Sequence, residues 1–213
     1  MKCEWRKSEK DLYQPKNAPA LVTVPRQKFF KIKGQGNPND PDFAERIGVL
    51  YSLAYAVRMM PRNGFTPEGY YEYTVYPLEG LWDLSDEGRK ATVFSKDDLI
   101  YTIMIRQPAF VTEEVAEKAL ASVRRKKPNR LLDEVVFEES EEELCVQMMH
   151  TGSYDDEPQS FAKMKQFIEE NHLERESMMH REIYIKALMD SDSAEDKAKL
   201  QTILRYSVRI PNH

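Results

Sequence analysis

Apolar side chains at Phe43, Ile47, Leu50, Leu53 and Val57 recur at steps of three and four, the spacing that lines one face of an α-helix. Asp40 and Pro41 supply a start signal and Pro61 a stop. A second helix is predicted from Thr112, with Glu113 and Glu114 in its first turn, Arg124 to Lys127 in its last and Pro128 beyond it, the charge order that a helix dipole favours. Pro158 opens a third, with Phe161, Met164, Phe167 and Ile168 on one face, and a short helical pattern lies near 195–200. Between the helices, stretches rich in β-branched and aromatic residues predict strands over 21–32, 70–78, 99–106, 144–151, 180–186 and 203–210. Gly34, Gln35, Gly36 and Pro38 end the first, and Gly152 supplies a turn after the fourth. Each half of the chain therefore runs strand, helix, strand, strand.

The halves also match by spacing. Gly34 and Gly152, Phe43 and Phe161, and Ala44 and Ala162 are each 118 positions apart. The economical reading is an α+β fold of duplicated βαββ units, forming one antiparallel sheet with two long helices on one face and a ligand pocket on the other. Residues 1–19 are polar, with Pro15 and Pro19, and read as a lead-in segment whose Trp5 and Leu12 dock on the domain. The domain then covers 20–213, with repeat one at about 20–107, a linker helix and strand at about 112–139 and repeat two at about 143–210.

Composition narrows the class. The 213 residues are 41% hydrophobic and 31% charged, enough apolar material for a sizeable core. The net charge of −5 has the wrong sign for a protein that gains affinity by neutralising phosphates, so direct nucleic-acid binding is not expected. No apolar run suits a membrane span, and the first residues lack the apolar stretch of a signal peptide, so the expected setting is cytoplasmic and free of membrane. Cys3 and Cys145 are far apart and read as free thiols.

Candidate chemistry follows from strand alternation. In the strand 180–186, Ile183 and Ile185 share one face, expected beneath the helices, while Glu182 and Tyr184 share the other, expected to be open. By the same parity Glu72, Thr74 and Tyr76 share a face of the strand 70–78, with Tyr71, Tyr73 and Trp82 nearby. A carboxylate ringed by Tyr and Trp suits lipophilic cations, through its charge and through cation–π attraction of about 0.5–2 kcal/mol per ring. The plainer alternative is that these are a solvated strand glutamate and ordinary strand-forming tyrosines.

The segments Tyr76-Pro77-Leu78-Glu79-Gly80-Leu81-Trp82, Ile32-Lys33-Gly34-Gln35-Gly36-Asn37-Pro38, His180-Arg181-Glu182-Ile183-Tyr184 and Thr202-Ile203-Leu204-Arg205 resemble the stand-alone GyrI-like small-molecule-binding proteins. The resemblance runs from Glu4 to Arg205. It implies the duplicated βαββ fold shared with effector-binding domains of multidrug-sensing activators, the superfamily grouped as SOUL and GyrI effector-binding domains. It also implies a pocket glutamate at Glu182, with Tyr184 and Trp82 as aromatic neighbours. Some relatives are similar to hydrolases that open cyclopropane rings in DNA-alkylating compounds. The chain departs from the pattern in Arg181, where the family more often has His, and in 187–190, which lacks an expected Pro-Arg pair.

Two functions are expected from the same residues. One is binding of a small lipophilic or cationic molecule, walled by Trp82, Tyr76, Tyr71, Glu72 and Tyr184, with Glu182 as counter-charge. The other is hydrolysis, with Glu182 acting on water and Tyr184 assisting at the ligand's oxygen. The alternatives are a non-enzymatic sequestering protein or a protein inhibitor of DNA gyrase. No cofactor motif is complete: Gly34-x-Gly36 lacks the third Gly of a dinucleotide fingerprint and any following P-loop Lys-Ser/Thr. The set His150, His180 and Glu182 lacks a known metal-ligand spacing, so no metal is expected.

Overall fold

Prolines and glycines punctuate the backbone more finely than the hydrophobic pattern indicates. The computed structural model describes residues 2–187 and 193–211, and the departure noted around 188–190 lies outside them. Two short turns of helix, α1 (Trp5–Ser8) and α2 (Lys10–Tyr13), come first. Then follow β1 (Ala20–Val24), β2 (Gln27–Gln35), α3 (Pro41–Arg58), β3 (Leu78–Leu84), α4 (Asp86–Lys90) and β4 (Leu99–Gln107). After them come α5 (Glu113–Lys126), β5 (Val136–Ser140), β6 (Glu143–Thr151), α6 (Glu157–Glu170), β7 (Glu174–Arg175), β8 (His180–Lys186), α7 (Ala194–Lys197) and β9 (Gln201–Arg209). The fold is α+β, and the nine strands among the described residues pair antiparallel.

The chain divides into two compact units. Unit 1 holds residues 1–5 and 26–141, with strands in the order β3, β4, β2, β5. Its core sets Leu50, Leu53 and Val57 of α3 with Ile32, Ile103 and Ile105, all fully buried. Unit 2 holds residues 6–25 and 142–213, with strands in the order β1, β6, β9, β8 and with β7 also paired to β9. Its core joins Met164 and Ile168 of α6 to Val146, Met148, Leu204, Tyr206 and Val208.

The single strand expected over 21–32 is two strands, because Pro25 has no N–H for the ladder and breaks it. The first piece, β1, pairs with β6. The lead-in segment does dock: Trp5 is buried and its Nε1 donates to the Val75 carbonyl at 3.0 Å, while Leu12 is buried in unit 2. There residues 6–18 lie along the odd-numbered face of β6, β9 and β8. Arg205 donates to the Leu12 carbonyl at 2.5 Å, Gln147 to the Asp11 carbonyl at 2.6 Å and Arg6 to the Ile185 carbonyl at 2.6 Å. A cavity of about 300 Å³ lies on this side, lined by Arg6, Tyr13, Gln14, Met149, Ile185 and Gln201 among others.

The strand expected over 70–78 is absent. Residues 70–77 are irregular apart from an isolated bridge between Cys3 and Tyr73, and the strand begins after Pro77. Pro77 immediately precedes β3, and Gly80 lies within it. Gly80 is required by packing: a Cβ there would lie 2.5 Å from the Trp82 indole nitrogen. Gly80→Ala is therefore expected to cost about 1–3 kcal/mol in urea unfolding, since the ring must shift within a closed core. An unchanged midpoint would show that the indole moves freely.

Candidate functional site

Cross-strand register decides which face Glu182 occupies. Directly opposed residues of an antiparallel pair project to the same side, and Glu182 opposes Leu204, which in turn opposes Met148. Leu204 and Met148 belong to the α6 core. Glu182, Tyr184 and His180 therefore lie on the face that carries α6, and Ile183 and Ile185 on the face covered by residues 6–18. This reverses the assignment made from alternation, which separates two faces and does not say which one receives the helix. The 300 Å³ cavity is accordingly on the face away from Glu182.

Glu182 is 9% exposed and holds two partners. The Tyr184 hydroxyl donates to one carboxylate oxygen at 2.7 Å, and His180 Nε2 lies 2.9 Å from the other. His180 is itself wedged edge-on against Phe161 of α6, with centroids 4.8 Å apart. A carboxylate offers about four acceptor positions, so two remain for a ligand.

The turn leading into α6 supplies what sequence reasoning missed. Gly152, at φ 130°, makes a turn that L side chains rarely allow, and Ser153 Oγ then accepts from the Asp155 amide at 3.3 Å. The resulting 3-10 turn sets the Tyr154 ring edge-on to Tyr184, at 6.2 Å. His150 braces this turn. Its Nε2 contacts the Ser153 carbonyl at 2.9 Å, which can only accept, so Nδ1 is the nitrogen that accepts from Ser160 Oγ at 3.0 Å.

Glu157 follows in the first turn of α6. It is 7% exposed, and its Oε1 is buried without a hydrogen-bond partner. A helix start favours a charged carboxylate by about 0.3–1 kcal/mol. Burial outweighs that here and, with the nearby charges of Glu182 and Asp155, pushes the carboxyl up to about 9. Burial and the same two glutamates raise the Tyr154 phenol to about 12. On the same face Thr202, opposite both Tyr184 and His150, carries a second buried oxygen without a partner. The group thus offers an acid at Glu157, a phenol donor at Tyr154 and spare acceptor positions at Glu182.

The remaining expected residues lie in unit 1. Trp82 is buried between Phe43 and Tyr101, at centroid distances of 5.6 and 5.1 Å. Tyr76 is buried beneath the Arg106 guanidinium at 4.5 Å, Tyr71 packs on Phe110 at 5.3 Å, and Glu72 is exposed. Gly80 lies opposite Ile103 in β4, and Trp82 opposite Tyr101. Among the described residues no three His, Cys, Asp or Glu side chains converge to hold a metal ion, and no helix there is long and apolar enough to cross a membrane.

The GyrI-like small molecule binding domain matches residues 18–206. Two solved structures described as hydrolases from Listeria innocua are each 33% identical to the chain, with TM-scores of 0.85 and 0.87. They align over 97% and 98% of this chain and all of theirs. A third protein from Listeria innocua, described as an uncharacterized conserved protein, is 34% identical, with a TM-score of 0.87 over 97% of this chain and all of its own. No curated protein matches the chain.

Proposed function

Because the chain belongs to the GyrI-like small molecule binding domain family, we propose that it binds lipophilic organic cations with Glu182 as the counter-charge. The observation that carries this reading is the Glu182 carboxylate itself, nearly buried, oriented by His180 and Tyr184 and faced by the Tyr154 ring. A carboxylate in that setting has lost most of its hydration, so a ligand cation that replaces it is held more firmly than at an open surface. Tyr184 and Tyr154 contribute π faces and hydroxyl donors. Trp82 enters the proposal through the family resemblance, and Tyr76, Tyr71 and Glu72 through their place in the sequence.

Glu182→Gln keeps the shape and removes the charge. It is expected to weaken ethidium, a planar cation, by about ten- to a hundredfold in fluorescence titration, equivalent to about 1.4–2.8 kcal/mol. A neutral aromatic of similar size should bind both proteins alike. Equal ethidium affinity in the two proteins would remove Glu182 from the binding role.

A second reading, hydrolysis, is favoured by the adjacency of a carboxyl held neutral at Glu157 to the carboxylate of Glu182. The two can act as acid and base toward one bond, with Glu182 drawing a proton from water and Glu157 giving one to the departing atom. The description of two similar Listeria innocua structures as hydrolases accords with this. A cyclopropane-bearing alkylator is the substrate to try. Catalytic addition of water, followed by mass spectrometry, supports the enzyme, and stoichiometric retention of unchanged compound supports binding alone.

A further inference from the structure

The start of α6 buries a carboxyl that no helix needs there. Glu157 is 7% exposed, its Oε1 has no hydrogen-bond partner, and it shares its surroundings with Glu182. A second buried oxygen without a partner, Thr202 Oγ1, lies on the same strand face, opposite Tyr184. Polar atoms left this way in a folded interior are costly to keep. Both oxygens lie on the side of the sheet that carries α6, as does the Glu182 carboxylate with its spare acceptor positions.

We infer that Glu157 is a second carboxyl of this site and that a cation seated beside Glu182 expels the Glu157 proton to solvent. The inference rests on the cation-binding reading above and adds a residue and a proton to it. In the ligand-free protein the two carboxyls share one negative charge, because like charges at close range resist ionising together. A cation between them changes that balance. Opposite charge within about 4–6 Å lowers a carboxyl by about 1–3 pH units, which brings Glu157 from about 9 to about 6–8. The ligand then meets two charges in place of one, and affinity becomes linked to pH.

Glu182 of β8 and Asp155 and Tyr154 of the 3-10 turn act on Glu157, His180 and Tyr184 hold Glu182, and Thr202 and His150 share that strand face. A window of pH 7.5–9.5 lies below the Tyr154 phenol at about 12. Ethidium carries a permanent charge, so its own ionisation does not enter.

With wild-type protein the ethidium Kd is expected to tighten by about 6- to 25-fold from pH 7.5 to 9.5, the range that follows from the 1–3 unit displacement. Calorimetry at pH 8 in two buffers of different ionisation enthalpy should detect release of about 0.4–0.9 proton per ligand bound. In Glu157→Gln the Kd should be flat over the window and the proton release absent. The calorimetric result uses wild-type protein alone, so a variant that fails to fold does not remove the test. Ethidium bound with no proton release and a flat Kd in wild-type protein overturns the inference and leaves the binding reading intact. Proton release that persists in a folded Glu157→Gln protein assigns the proton elsewhere and also overturns it. No ethidium binding at any pH overturns both.

Discussion

Arg205→Ala is expected to destabilise the protein by about 2–5 kcal/mol, the cost of leaving buried acceptors without their donor and of the void left by the side chain. Arg205 is 2% exposed, near the middle of β9, with its Nε donating to Gln147 Oε1 at 2.8 Å and its Nη2 to the Leu12 carbonyl at 2.5 Å. Gln147 passes the connection on, donating to the Asp11 carbonyl at 2.6 Å. The backbone of α2 therefore has its polar groups answered by side chains from two strands of the sheet. Truncation leaves a carbonyl and an amide oxygen in the interior without their donor, and it opens a void the length of an arginine stem. The loss should be local before it is global. Hydrogen exchange in residues 6–18 is expected to accelerate even where the sheet stays protected. Unchanged exchange there, with a melting temperature equal to wild type, would mean that the segment is held by its apolar contacts and not by Arg205.

Glu157→Gln should act in the opposite direction, and only at the alkaline end. The folded protein holds this carboxyl up to about 9, against 4.5 for an ordinary glutamate in the unfolded chain. Between those values the native state carries a proton that the unfolded state has lost. Stability from this group is therefore complete below about pH 4.5 and declines as pH rises toward 9. Glutamine resembles the neutral acid and never ionises. At pH 8 the variant is expected to be more stable: even half the displacement corresponds to about 3 kcal/mol, or about 6–12 °C in Tm for a chain of this size. At pH 4.5 the two proteins should melt together. A variant that loses stability at pH 8, or gains equally at both pH values, would show that Glu157 is held as an anion.

The regular elements were legible where one physical effect dominates. The stripe from Phe43 to Val57 between Pro41 and Pro61 corresponds to α3, and the alternating residues of β4, β8 and β9 fall within a residue or two of their expected bounds. The stretch 70–77 was misleading because aromatic and β-branched residues fit any half-buried extended chain. Its tyrosines pack on Phe110 and beneath Arg106, contacts that no local pattern encodes.

Glu182 and Tyr184 were legible as a pair, since two residues apart on a strand is enough to make them neighbours. Their face was not, because it depends on which register β8 takes on β9. Glu157 gave no signal at all. An acidic residue in the first turn of a helix is the ordinary partner of the dipole, and only the approach of β8 turns it into a buried acid. Thr202 is similarly inconspicuous, one β-branched residue in a strand that has several.

The packing around Gly80 bears on stoichiometry. A chain built from two like halves would be divalent if each half kept its receptor. In unit 1 the indole of Trp82 lies against Gly80, so closely that not even a methyl group fits there, and the phenol ring of Tyr101 lies equally close to Gly34 on the neighbouring strand. A cation arriving beside Gly80 and Gly34 would meet an indole and a phenol, whereas unit 2 holds the carboxyls of Glu157 and Glu182. With the carboxyl pair of unit 2 as the site, an ethidium titration is expected to saturate at one equivalent.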